Sequence, residues 1–221
     1  MLFRSAVLVI AYGVSINFIE VVWKEQMRAN LRGSNEYAQM MGRLSIVTGI
    51  FTICTSILST RILRKFSWKI SAVITPIIVM TFGGIFFALV LYGKNGGREL
   101  FGLSVPMLAI WVGLFIDALV KSIKYCLFDS TKNMAYRPLD DDTKTKGQAA
   151  VEVIGGRAGK AGASTIIYFL TNIVSVGSKV LAHLYTIVPI FAVTVIGWIA
   201  SVCGLSKKYE TKLAEETTVQ K

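Results

Sequence analysis

The sequence predicts an all-α membrane protein of six membrane-spanning helices, and three observations carry that expectation. Hydrophobic residues make up 53% of the 221-residue chain, above the ~45–50% usual in soluble domains. Mean hydropathy is +0.58. The apolar residues gather into six runs, about 5–27, 40–62, 69–92, 104–128, 149–173 and 183–205, each matching the roughly 20 residues a helix needs to cross a bilayer. A transmembrane bundle is therefore expected over residues 1–205, with 206–221 left as a polar cytoplasmic tail that has little to bury.

The first run reads as a mature helix rather than a signal peptide. It has no clear small-residue cleavage site, and Asn17, Glu20 and Lys24 lie in or just beyond its apolar part. Glycine and proline mark the connections, at Arg32-Gly33-Ser34-Asn35, at Lys94-Asn95-Gly96-Gly97 and at Pro138. Pro76, Pro106 and Pro189 fall within or near apolar runs, where a spanning helix tolerates a kink.

Basic residues crowd the segment from Arg61 to Lys69, the long connection after the fourth run, and the tail from Lys207 to Lys212. The opposite side receives Lys24, Arg28, Arg32 and Arg43, then Lys94 and Arg98, then Lys179. Positively charged loops stay in the cytoplasm, so the distribution favours both termini inside, against the pull of the basic first connection. The net charge of +11 is thus read as orientation and attraction of an anionic solute, and nucleic acid is not expected as a partner.

Catalytic chemistry finds little support. Cys54, Cys126 and Cys203 lie one in each of three runs, without metal or disulfide spacing, and read as small apolar packing residues. The single histidine, His183, sits at a helix start with no triad around it and reads as a satisfied interfacial residue. The string GGRAGKAG suggests a phosphate loop, but Ile154 stands where the first glycine belongs and Ala161 replaces the magnesium-holding Ser or Thr. No enzyme activity, cofactor or metal site is expected.

Charge inside a spanning helix costs ~2.5–3.5 kcal/mol on insertion scales and usually faces protein or water. Asn17, Glu20 and Lys24 share one face of the first helix, with Gly13 continuing it. They are either an internal ion pair near the interface or a gate and substrate contact. Asp117, Lys121 and Lys124 form a second stripe with Tyr125 beside it; Asp117 would neutralise Lys121 and leave Lys124 free. The alternative is lysines snorkelling to the inner surface.

The window from Lys121 to Ser164 holds eight basic residues between two apolar runs. Near its end Lys160 falls among Gly155, Gly156, Gly159 and Gly162, at mid-bilayer for a helix beginning near Gly147. Glycines serve close helix packing, yet packing does not call for a lysine, which makes Lys160 the strongest single functional candidate. Arg157 could grip a carboxylate or phosphate bidentately, and Glu152 could balance charge in the empty state.

The strings SINFIEVVWK (15–24), NEYAQMMG (35–42) and KYCLFDSTKNMAYRPLDDDTKTKGQAAVEVIGGRAGKAGAS (124–164) resemble the ATP/ADP antiporter family of plastids and obligate intracellular bacteria. The likeness runs in order from about Tyr12 to Leu205. Ser130 stands where the family commonly has proline and Arg137 where it has an apolar residue.

The resemblance implies a nucleotide transporter of twelve helices in a major-facilitator-like arrangement, of which this chain looks like the C-terminal half. It also implies roles in transport for Glu20 and Lys160, the acidic residue and the lysine at matching positions of the family's motifs. The expected substrate-binding set is Lys160, Glu20, Lys124, Arg157, Lys121 and Asn17. The expected partners are ATP and ADP or related nucleotides, membrane lipid, and an N-terminal half or a second copy. The expected location is a bacterial inner membrane in preference to the plastid inner envelope. The competing reading is a non-transporting membrane scaffold or truncated remnant.

Overall fold

A computed structural model of the chain describes residues 2–100, 102–136, 141–174 and 180–219. Six helical rods run through it. The first three are α1 (Leu2–Asn30), α2 (Ser34–Lys65) and α3 (Trp68–Lys94). A two-stranded hairpin, β1 (Glu99–Leu100) with β2 (Leu103–Ser104), then caps the connection, antiparallel and turned at Gly102 with φ 75°.

The fourth rod is α4 (Val105–Ile123), a π-helical turn at Lys124–Phe128, and α5 (Asp129–Ala135). The fifth is α6 (Asp141–Ala150), a π turn at Val151–Gly155, α7 (Gly156–Phe169) and a last π turn at Leu170–Val174. A 3₁₀ turn at Val180–His183 leads into the sixth, α8 (Leu184–Val219).

All six expected helices form, and every one is longer than its apolar run. The reason is that hydropathy registers only the lipid-compatible part, whereas the backbone hydrogen bonds of a helix continue through polar residues. The largest extension comes after Leu205, where the expected tail continues as helix to Val219. The fourth rod likewise passes the expected end at residue 128 and continues to Ala135. The turn expected at Pro138, the departure at Arg137 and the basic Lys179 lie outside the described residues.

Among the described residues, five helices are long and apolar enough to cross a membrane: Phe3–Asn30, Ser34–Lys65, Trp68–Lys94, Val105–Ala135 and Val180–Ser206. The fifth rod in chain order does not meet that measure by composition, because Glu152, Arg157, Lys160 and a run of glycines interrupt its apolar residues.

Helix α1 is the hub, packing against α4, α7 and α8. Phe18, Ile19, Val22, Trp23 and Met27 are fully buried on it. Trp23 fits because Gly113 opposes it with no side chain, and its indole N–H donates to the Ile110 carbonyl at 2.9 Å. Helix α3 bridges α4 and α8. Helix α2 lies outermost against α4, and only Met40, Leu44 and Ser59 of it are buried, while Ile46, Ile50, Ile53 and Ile57 face outward. Pro76 and Pro189 sit inside α3 and α8, and Pro106 occupies the first turn of α4, where its missing N–H is harmless.

The tightest crossing joins α1 to α7. A Cβ on Gly13 would sit 3.1 Å from the Gly159 Cα, and one on Gly159 would sit 2.8 Å from the Ile10 carbonyl oxygen. Backbone therefore meets backbone, which small residues alone permit. Gly162, two positions beyond Lys160, has open space around it. Accordingly Gly159→Ala should destabilise the bundle by about 1–3 kcal/mol through overpacking. Gly162→Ala should leave it unchanged or slightly stabilised. Thermal unfolding in detergent compares the two.

Candidate functional site

A cleft of about 480 Å³ opens between α1, the π turn and α5 of the fourth rod, and the first π turn of the fifth rod with the start of α7. Its apolar side carries Val9, Tyr12, Gly13 and Phe128. Tyr12 and Phe128 stack with ring centroids 5.1 Å apart, and Trp198 of α8 meets both edge-on at 5.9 and 5.5 Å. Three rings from three rods thus lock the floor by offset and edge contacts.

Apart from Val153 and Gly156, the remaining lining is charged: Lys124, Asp129, Lys132, Glu152, Arg157 and Lys160. Lys124 Nζ lies 3.2 Å from Asp129 Oδ2 and over the Tyr125 ring at 4.5 Å. Lys132 Nζ lies 3.2 Å from Asp129 Oδ1 and 3.0 Å from Glu152 Oε1. The Gln148 amide adds a donor to Glu152 Oε1 at 3.1 Å. Arg157 and Lys160 are exposed and make no ion pair with the described residues.

A second charged cluster lies further along α1. Glu20 Oε1 accepts from Lys24 at 2.7 Å and lies 3.9 Å from Lys121 Nζ. Lys121 Nζ donates to Asp117 Oδ2 at 2.9 Å, and Asp117 is fully buried. Asn17, one turn from Gly13 on the same face of α1, keeps Oδ1 buried with no hydrogen-bond partner among the described residues.

Measured against the expected set, the structure brings Lys124, Arg157 and Lys160 to one cleft and Glu20 and Lys121 to the adjoining cluster. Asn17 lines neither the cleft nor an ion pair. The expected Glu20–Lys24 and Asp117–Lys121 pairs both form. Lys124 is not left free, however. The helix continues past its expected end and delivers Asp129 to it. His183 is buried at 8% exposure, and its Nε2 meets no partner among the described residues, so it is not the satisfied interfacial side chain expected.

Lys132, Asp129 and Tyr12 belong to the site although the sequence did not point to them. The signal for Lys132 lay in the spacing: Lys124, Phe128 and Lys132 succeed one another at four-residue intervals. Ending the helix at residue 128 hid it. The three cysteines are free, and Cys126 packs its thiol against the Thr52 carbonyl and Thr55 hydroxyl at 3.5 and 3.4 Å.

Long apolar helices around a cationic, partly aromatic cleft define an integral membrane protein with its charge held in the bundle interior. The family model of the TLC ATP/ADP transporter matches residues 1–209, and the chain belongs to that family. ADP,ATP carrier protein 1 of Rickettsia prowazekii is 41% identical over 208 residues, covering 93% of this chain and 42% of the relative. The protein of that name from Chlamydia pneumoniae is 38% identical, covering 97% and 42%. ADP,ATP carrier protein 2, chloroplastic, of Arabidopsis thaliana is 38% identical, covering 96% and 34%. The chain thus spans less than half the length of these relatives. No solved structure matches it significantly.

The buried acid gives the site's clearest stability test. Asp117→Ala should cost about 3 kcal/mol, because Lys121 then keeps only the longer contact to Glu20. Asp117→Asn should cost less, since its amide oxygen still accepts from Lys121. Detergent unfolding of the two variants separates loss of the partner from loss of the charge.

Proposed function

We propose that the chain is the C-terminal half of a nucleotide antiporter that exchanges ATP for ADP, or carries related nucleotides, across a membrane. The observation that supports this reading best is the cleft whose Arg157 and Lys160 stand exposed without carboxylate partners among the described residues. Guanidinium and ammonium groups of that kind bind polyphosphate through charge-assisted hydrogen bonds. The relatives' names, ADP,ATP carrier, agree with such a substrate.

In the proposed mechanism Lys160, helped by Lys124 and Arg157, draws the phosphates into the cleft. Glu20 holds Lys24 and Lys121 in pairs that substrate rearranges. Exchange results because an empty cleft rich in positive charge changes sides reluctantly, whereas a nucleotide neutralises it. Folds of this kind work by rocking two halves around a central site, so an N-terminal half, or a second copy, supplies the opposite wall. The protein acts as a carrier rather than an enzyme. It sits in a bacterial inner membrane with both termini cytoplasmic and lipid against α2.

Labelled ATP uptake into vesicles tests the reading, with the chain alone and with an N-terminal half supplied. Uptake is expected with the supplied half and is expected to saturate. Lys160→Ala should lower it at least about tenfold, as the loss of a charge-assisted hydrogen bond worth ~1.5–3 kcal/mol implies. Unchanged uptake and saturation in Lys160→Ala would remove the phosphate role. Folded protein with no uptake in either condition would instead favour a membrane scaffold.

A further inference from the structure

Lys132 is the most enclosed cation of the cleft, at 9% exposure, and it ties two rods together. Its ammonium sits between Asp129 on its own helix and Glu152 on the π turn of the fifth rod. Close by, the Gln148 amide reaches the Asn133 Oδ1 at 3.3 Å, so the same two rods are joined twice.

The ion pairs are arranged so that Lys132 can let go. Asp129 retains Lys124 at 3.2 Å, and Glu152, 39% exposed, retains Gln148 at 3.1 Å and water. Releasing Lys132 therefore leaves neither acid as the uncompensated buried charge that makes breaking most buried pairs expensive. Its helix is held from behind, because the Trp68 indole N–H donates to the Thr131 carbonyl at 2.8 Å. The opposing rod rests on α1 at the Gly13–Gly159 crossing and reaches Lys132 through a π turn, an element that recurs at functional sites and adjusts by small changes of winding.

We propose that Lys132 is a further phosphate-directed residue of the cleft, held by Glu152 while the cleft is empty, and that a polyphosphate exchanges that pair for its own contact and so releases one of the two ties between α5 and the fifth rod. The inference rests on the nucleotide-carrier reading for its natural ligand, but the chemistry needs only a polyphosphate. Arg157 and Lys160 capture the ligand first, having no carboxylate partner among the described residues. Lys132 then adds a further cation only at the expense of its own tie between the two rods. Occupancy is thereby coupled to the separation of two helices.

The full chain in vesicles, with Cys54, Cys126 and Cys203 replaced by alanine, carries spin labels at Thr60→Cys on α2 and Ala150→Cys on α6. Sodium tripolyphosphate is expected to shift the interspin distance toward a second population. Lys132→Met and Glu152→Gln should each produce that shift without ligand, raising the second population at least about fivefold. The exchange Lys132→Glu with Glu152→Lys should return it to the starting distribution, which loss of folding would not. Lys132→Met should also weaken tripolyphosphate binding about fivefold or more, and Lys132→Arg should restore it.

Distances that ignore tripolyphosphate, or a Lys132→Met protein that binds it as well as the parent, would overturn the inference. ATP uptake, measured in vesicles to which an N-terminal half is also supplied, keeps the two ideas apart. A response to tripolyphosphate without ATP uptake upholds the Lys132 switch and sinks the carrier reading. Normal uptake with Lys132→Met behaving as the parent does the reverse.

Discussion

The site depends first on a contact between two backbones. Gly13 and Gly159 let α1 and α7 approach so closely that no side chain stands between them. That approach sets the polar face of α1 beside the rod that carries Arg157 and Lys160. Everything charged in the middle of the molecule is then within reach of one cleft or the cluster next to it. The aromatic floor depends on the same placement, since Tyr12 precedes Gly13 and meets Phe128 and Trp198. Glycine's role at this crossing is thus to be thin, and the cations gain their setting from it.

Around the crossing, charge is managed by sharing. Glu20 serves Lys24 and Lys121, and Asp129 serves Lys124 and Lys132. In a medium of low dielectric each isolated charge would cost several kcal/mol, so a carboxylate placed between two ammonium groups stabilises both. The balance left by this sharing is positive: among the described residues Arg157 and Lys160 have no such acid. An excess of one sign at the edge of a cleft is a field for anions, and the apolar walls around it sharpen that field.

Hydropathy revealed the rods and blurred their ends. Apolar residues are visible one at a time, so the six runs located six helices, and the intrahelical pairs Glu20–Lys24 and Asp117–Lys121 were legible in the four-residue spacing. Helix continued past Phe128 and past Leu205 because hydrogen bonds within the backbone do not require apolar side chains. Lys132 and Glu152 could not be matched from sequence, since twenty positions and a change of rod separate them. Their partnership exists only once the fifth rod is laid against α1. The stripe on α1 was legible as a polar face, yet its division between an ion-paired Glu20 and an Asn17 Oδ1 without a partner among the described residues is a property of the neighbours.

The π turn at Lys124–Phe128 decides which neighbour each lysine of the fourth rod meets. Lys121 and Lys132 are eleven positions apart, which in an unbroken α-helix is just over three whole turns and would stack them on a single side. One surplus residue in the winding rotates the downstream helix by about 100°. Lys121 accordingly turns to Glu20 on α1, and Lys132 turns to Glu152 on the fifth rod. A single residue of extra winding, more than the choice of any side chain, divides the cations of one rod between two neighbours.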